Sequence, residues 1–78
     1  MSESGNQNGE GVVRYEFRLV YPPSETLRGG FPELESRQMP GGVPVMYGPV
    51  IDQAQLHELI TRFSDLGVEI VEIRQLPD

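Results

Sequence analysis

Alternation of apolar and charged residues marks the first predicted element, residues 12–20. From residue 13 to residue 19, the apolar residues occupy odd positions and the charged residues even ones: Val13, Tyr15, Phe17 and Leu19 alternate with Arg14, Glu16 and Arg18. A period of two is typical of a β-strand with one buried face and one solvated face. The next stretch, residues 21–32, contains two prolines and a glycine pair, so it predicts an irregular crossover with at most one helical turn after Ser24.

A hairpin is predicted next. A weak strand around residues 34–39 is joined to a second strand, residues 43–50, by the turn-forming residues Pro40, Gly41 and Gly42. The apolar and aromatic side chains that fall outside clear patterns are assigned to a partly exposed patch. They are Tyr21, Phe31, Met39 and Met46.

The main helix is predicted from a spacing of i, i+3, i+4 and i+7, which places one apolar stripe along a helix. The residues with this spacing are Leu56, Leu59, Ile60 and Phe63. Asp52 suits the N-cap, and Gln55 completes a capping-box pattern. Ile51 and Leu56 fit a hydrophobic staple, and Gly67 fits a left-handed C-terminal residue. We therefore expect a helix from about Gln53 to Leu66.

A final strand is predicted over residues 68–76, with apolar side chains on both faces. Regular alternation places Val68 and Ile70 on one face, and Val71 and Ile73 on the other. A strand that is apolar on both faces lies inside a sheet or is covered by another element.

The order of elements predicts an α+β fold: a four-stranded antiparallel sheet with one main helix, a reduced ferredoxin-like arrangement (β-β-β-α-β) whose first helix has shrunk to a turn. A right-handed crossover makes the third and fourth strands parallel, and the first strand fits between them. The alternative is a three-stranded meander with the last strand at an edge. One helix cannot cover four strands, so we expect a second copy of the chain to cover the remainder in a homodimer.

Composition narrows the class of protein. The 78 residues carry a net charge of -6, and residues 1–11 hold no apolar residue after Met1, which predicts a disordered tail before a single domain over residues 12–78. The absence of cysteine and of a long apolar run predicts a cytoplasmic protein that does not enter a membrane. The six arginines are spread along the chain, so we expect no nucleic-acid partner.

Candidate chemistry is sparse. His57 is the only histidine, and helical geometry places it at the flank of the apolar stripe or in solvent. With no cysteine and no lysine, thiol and Schiff-base mechanisms are excluded. We therefore predict no catalytic residue, no metal site and no cofactor.

Residues 48–76 resemble the C-terminal halves of a group of short uncharacterised bacterial proteins that read G-P-x-x-D-Q-A-x-L-H-x-L-L-x-R-x-x-D-L-G before an apolar strand. The matching positions are Asp52, Gln53, Ala54, Leu56, His57, Leu59, Arg62, Asp65, Leu66 and Gly67. This resemblance implies a fold and not an activity. The same region is also similar to half of an ACT-type regulatory domain, in which a loop before the helix and a neighbouring subunit bind an amino acid.

Three functions are consistent with these features. The first is a non-enzymatic interaction or regulatory module that binds a protein partner through Arg14, Glu16, Arg18, Val71 and Ile73. The second, which the ACT likeness implies, is a ligand sensor that uses Gly48, Asp52 and Gln53 at the start of the helix. The third is a small dimeric enzyme with His57 as acid or base.

Overall fold

The computed structural model describes residues 12–77, so the predicted tail over residues 1–11 lies outside the described residues. The chain forms β1 (Val13–Leu19), α1 (Glu25–Gly29), β2 (Glu35–Met39), β3 (Val43–Val50), α2 (Gln53–Asp65) and β4 (Ile70–Leu76). The β2–β3 turn spans Pro40 to Gly42, with positive φ angles of 87° at Gly41 and 82° at Gly42. These angles explain why glycine occupies both positions.

The four strands form one sheet in the order β2-β3-β1-β4, and every neighbouring pair is antiparallel. β1 lies between β3 and β4, which therefore run parallel to each other, as the first of the two predicted arrangements requires. The predicted class, a four-stranded antiparallel sheet with one main helix, is confirmed. A complete ferredoxin-like fold has a full first helix, whereas α1 is five residues long and buries none of them.

Helix α2 begins at the predicted Gln53 and ends at Asp65, one residue before the predicted Leu66, which is its C-cap. Asp52 Oδ1 accepts a hydrogen bond from Gln55 N at 2.8 Å, and Gln55 Oε1 accepts one from Ile51 N at 2.7 Å. At the other end Gly67 has a φ of 74°, and Val68 N donates to Phe63 O at 2.9 Å, as in a Schellman motif. Ile51 remains 64% exposed, so the predicted hydrophobic staple buries little apolar area.

The core lies between α2 and the face of the sheet that carries Phe17 and Met46. The Phe63 ring centroid is 5.1 Å from that of Phe17 and 4.2 Å from that of Phe31. Phe31 and Met46 are fully buried, so their assignment to an exposed patch is wrong. Phe31 enters the core from an irregular segment, where no period reveals which side chains turn inward.

Strand β4 departs from the predicted alternation at a β-bulge. Arg18 pairs with Glu72, but Leu19 pairs with Ile70, so Val71 is an extra residue in β4. Ile73 lies opposite Phe17, and both Ile73 and Ile70 therefore face the α2 side of the sheet. The prediction that Ile70 and Ile73 lie on opposite faces is wrong, because regular alternation would place the charged Glu72 beneath α2. β4 is also an edge strand rather than a central one.

The side of the sheet opposite α2, called the open face below, is not covered by any element of residues 12–77. From the strand registers it consists of Arg14, Glu16 and Arg18 of β1, Glu35, Arg37 and Met39 of β2, Val43, Val45, Tyr47 and Pro49 of β3, and Glu72, Arg74 and Leu76 of β4.

Candidate functional site

The open face gathers most of the arginines of an acidic chain. Arg14, Arg18, Arg37 and Arg74 lie on it with only three acidic side chains, whereas the rest of the 78 residues carry two arginines and nine acidic residues. The arginines that are spread along the sequence are therefore not spread over the folded chain. They are distant in sequence but occupy solvated positions of adjacent strands, and the pairing of strands brings them together.

A buried carboxylate lies within this charged surface. Glu16 is only 4% exposed, although it faces the side of the sheet that no element covers. Its Oε2 atom is 3.5 Å from Arg18 Nε, which is 3.7 Å from Glu72 Oε1. Glu16 also lies directly opposite Arg74 in the register of β1 and β4. Within residues 12–77, Glu16 Oε2 and Arg18 Nε are both buried without a hydrogen-bond partner, so their ion pair offsets only part of the cost of burying the Glu16 carboxylate.

A second polar cluster fixes the side chains of β2 against β3. Tyr47 donates a hydrogen bond from its hydroxyl to Glu35 Oε1 at 3.0 Å and accepts one from Arg37 Nη2 at 3.4 Å. The Arg37 guanidinium lies 5.0 Å from the centroid of the Tyr47 ring, within reach of a cation–π interaction. These contacts hold Arg37 and Glu35 in defined positions on the open face.

Between the two clusters runs a shallow groove with a volume of about 220 Å³. Its lining consists of Arg14, Glu16, Arg37, Met39, Val45, Tyr47 and Leu76. Val45 is almost fully buried and forms an apolar floor, while arginines and a tyrosine form the walls. The volume is below the range of about 300–1,000 Å³ usual for small-molecule pockets.

The residues predicted to form an interface fall on two connected surfaces. Arg14, Glu16 and Arg18 lie together on the open face. Val71 and Ile73 lie on the edge strand β4, where they are 65% and 37% exposed. The two surfaces meet along the β1–β4 pairing, where Arg18 is opposite Glu72.

The residues predicted to bind a ligand have structural contacts of their own. Gly48 is buried, and an added Cβ there would lie 2.7 Å from Glu33 O and 2.8 Å from Leu34 Cδ2. Asp52 caps α2, and Gln53 lines a cleft of about 170 Å³ with Asp52 and Tyr15. Ligand binding by these residues stays a prediction.

His57 is exposed on α2 and lies in the polar first half of that helix. Within residues 12–77, no group of three histidine, aspartate or glutamate side chains is close enough to hold a metal ion. Neither helix of this described part is long and apolar enough to cross a membrane.

Arg62 forms a structural clamp that the sequence pattern did not reveal. Its guanidinium donates to Glu33 at 3.0 and 3.1 Å, to Glu58 at 2.6 Å and to Gly30 O at 3.0 Å. It also lies 5.0 Å from the centroid of the Phe31 ring. The hydrogen bond from Arg62 lowers the pKa of Glu33, and the bonds to Glu33 and Glu58 raise the pKa of Arg62. The clamp fastens the segment before β2 to α2 and indirectly supports the buried position of Gly48.

Comparison with known proteins gives a family but no activity. Neither the curated proteins nor the solved structures contain a match to this chain. A family model described as "Domain of unknown function (DUF8691)" matches residues 14–74, from Arg14 of β1 to Arg74 of β4. The match includes most of all four strands, and the chain belongs to the DUF8691 family.

Proposed function

We propose that this chain is a small non-enzymatic interaction module that acts in the cytoplasm as a homodimer and binds a protein partner through the open face of its sheet. The observation that carries the proposal is the groove around Glu16, where a buried carboxylate and a buried Val45 lie on a face that no element of residues 12–77 covers. A surface organised to this degree suits a partner that completes its burial.

The charges of the open face indicate the chemistry of the partner. Four arginines and three glutamates give this face a small positive charge in a chain whose net charge is -6. Arginine and tyrosine are also the residue types enriched at the centres of protein interfaces. We infer that the partner presents an acidic segment with at least one apolar side chain, which would occupy the floor at Val45.

Arg14 offers the sharpest test, because it lines the groove and is exposed. Wild-type chain and the Arg14→Glu variant are immobilised and used to capture proteins from the native host. The captured protein is then identified and purified, and its dissociation constant is measured by calorimetry. We expect Arg14→Glu to weaken binding about tenfold or more, because a like charge then meets the acidic segment.

The matched control is Arg28→Glu, which makes the same change of charge on α1, at a residue that does not line the groove. It is expected to bind as the wild type does. Melting curves for both variants establish that each is folded. An unrelated acidic domain is immobilised in parallel to identify non-specific capture. The open face is not the binding surface if the partner binds Arg14→Glu as tightly as it binds the wild type. The same conclusion follows if every protein captured by the wild type is also captured by the unrelated domain.

A further inference from the structure

Strand β4 has the features of an edge that pairs with another strand. It is seven residues long, contains no proline and pairs with β1 on one side only. Val71 and Ile73 are exposed along it. Proteins usually protect such an edge with proline, lysine or an outward bulge, because its unpaired backbone groups are a template for a further strand. Here the bulge lies at Val71, and the ladder from Glu72 to Leu76 is regular.

The charges on β4 alternate in a way that suits a second copy of the same strand. Glu72 precedes Ile73 in β4 and Arg74 follows it, and both charged side chains lie on the open face. Within one chain Glu72 already lies opposite Arg18, and Arg74 opposite Glu16. Each cross-strand pair therefore joins opposite charges, which stabilises a sheet by up to about 1 kcal/mol per pair.

We propose that two copies of the chain pair antiparallel along β4, with Ile73 of each copy at the two-fold axis. Glu72 of each copy then lies opposite Arg74 of the other. This inference rests on the homodimer proposed above and specifies its interface. The two sheets join into one of eight strands, and a row of alternating charges crosses the junction from Arg18 and Glu72 of one copy to Arg74 and Glu16 of the other.

Other registers would either bring like charges together or place the charged side chains of the two copies on opposite sides of the joined sheet. A two-fold axis at Glu72 would set two glutamates against each other, and an axis at Arg74 would set two arginines against each other. A shift by one residue would turn the charged side chains of one copy toward the helix side of the other. Only the axis at Ile73 matches both charges and keeps α2 of both copies on the same side of the joined sheet.

The opposite edge, β2, is the competing surface. An axis at Ser36 would also bring Glu35 opposite Arg37 of a second copy. However, Tyr47 already engages both charges within the chain, and β2 exposes no large apolar side chain. β2 is also shorter, at five residues, and is followed directly by Pro40. These differences favour β4.

Charge exchange tests the register. Sedimentation equilibrium is measured for wild type, for Glu72→Arg, for Arg74→Glu and for an equimolar mixture of the two variants. Each single variant creates like-charge pairs across the axis, so its dimer dissociation constant should rise about tenfold or more. In the mixture, two arginines of one variant face two glutamates of the other across the axis, so a heterodimer should form more tightly than either variant's own dimer. Each variant also places a like charge opposite Arg18 or Glu16 in its own chain, so melting curves establish that both variants remain folded.

A cysteine scan locates the axis independently, because the chain contains no cysteine of its own. Under mild oxidation Ile73→Cys should form a disulfide-linked dimer rapidly, since the two side chains lie opposite each other. Ser36→Cys, at the corresponding point of β2, should not. Melting curves of the reduced variants confirm that both are folded.

The outcomes separate the two proposals. If wild type is a dimer but the mixture stays monomeric, or if Ser36→Cys cross-links in preference to Ile73→Cys, the β4 interface is overturned and the homodimer stands. If wild type is monomeric at every concentration, both the homodimer and this interface are overturned. Partner binding by the open face is decided separately by the capture experiment with Arg14→Glu.

Discussion

Gly48 shows how a single missing side chain determines packing in this small core. The segment Glu33–Leu34 crosses directly over β3 at this point, and the contact would be blocked by any Cβ on residue 48. Two of the atoms that a Cβ would meet belong to the backbone, Glu33 O and Leu34 Cα, and therefore cannot rotate away. A glycine in a strand often marks such a close approach of another segment.

We predict that Gly48→Ala destabilises the protein by about 1–3 kcal/mol, the usual cost of overpacking a close contact. Urea unfolding followed by circular dichroism measures the change. Gly29→Ala is the control, because nothing lies within 4 Å of a Cβ at that position and its φ is not positive. It should be neutral or more stable by up to about 1 kcal/mol. Equal unfolding midpoints for the two variants would contradict the close-approach explanation.

Glu16 illustrates what the sequence does and does not reveal about single residues. Alternation in β1 correctly predicts that it faces away from Phe17. It gives no sign that Glu16 is buried, because burial depends on side chains of the neighbouring strands, such as Tyr47 and Arg74, which lie opposite Glu16. Asp52 and Gly67 are the opposite case. Their roles depend on hydrogen bonds and backbone angles within a few residues, so the sequence predicts both.

At the scale of elements, α2 is held at both ends by local caps and along its length by Arg62. The Arg62 clamp joins α2 to Glu33, a residue 29 positions earlier in the chain. Because the pKa of Glu33 is lowered in the folded protein, its carboxylate stabilises the fold above the unfolded pKa of about 4.5. That contribution is lost as the pH falls through the lower, folded pKa.

We therefore predict that Glu33→Gln is less stable than wild type at neutral pH and that the difference disappears as the pH falls below about 4.5. Urea unfolding at a series of pH values measures it. Glu69→Gln removes an exposed carboxylate that makes no ion pair within residues 12–77, and it should match the wild type at neutral pH. A difference between Glu33→Gln and wild type that persists in acid would show that packing, rather than charge, is responsible.

The positions of the elements relative to one another were less accessible to sequence analysis. The class of fold and the placement of β1 between β3 and β4 follow from element order and crossover handedness. The bulge at Val71 does not, because it brings Ile70 and Ile73, which regular alternation places on opposite faces, to the same face when β4 pairs with β1. The arginines likewise come together on the open face because of the register between strands, which the sequence of a single strand does not reveal.

For the whole molecule, one helix over a four-stranded sheet leaves an exposed edge and an exposed face. A domain of this size has a small core, so the proposed dimer would add to its stability. We predict that the melting temperature of wild type rises by about 3–6 °C for a tenfold rise in concentration.

The Glu72→Arg variant should show a much weaker dependence at the same concentrations, because its copies repel each other across the axis. Scanning calorimetry at matched concentrations measures both proteins. A wild-type melting temperature that does not change with concentration would exclude any contribution of association to stability.

The bulge in β4 has a consequence for how this chain tolerates changes in length. Val71 has no partner in β1, so the residues after it can keep their register with β1 even when the connection from α2 changes in length. An insertion or deletion of one residue between α2 and β4 can be absorbed by widening or closing the bulge. The side chain of Ile73 would still face α2, and those of Glu72 and Arg74 would still face the opposite side of the sheet. Variation in length is therefore best tolerated at this junction.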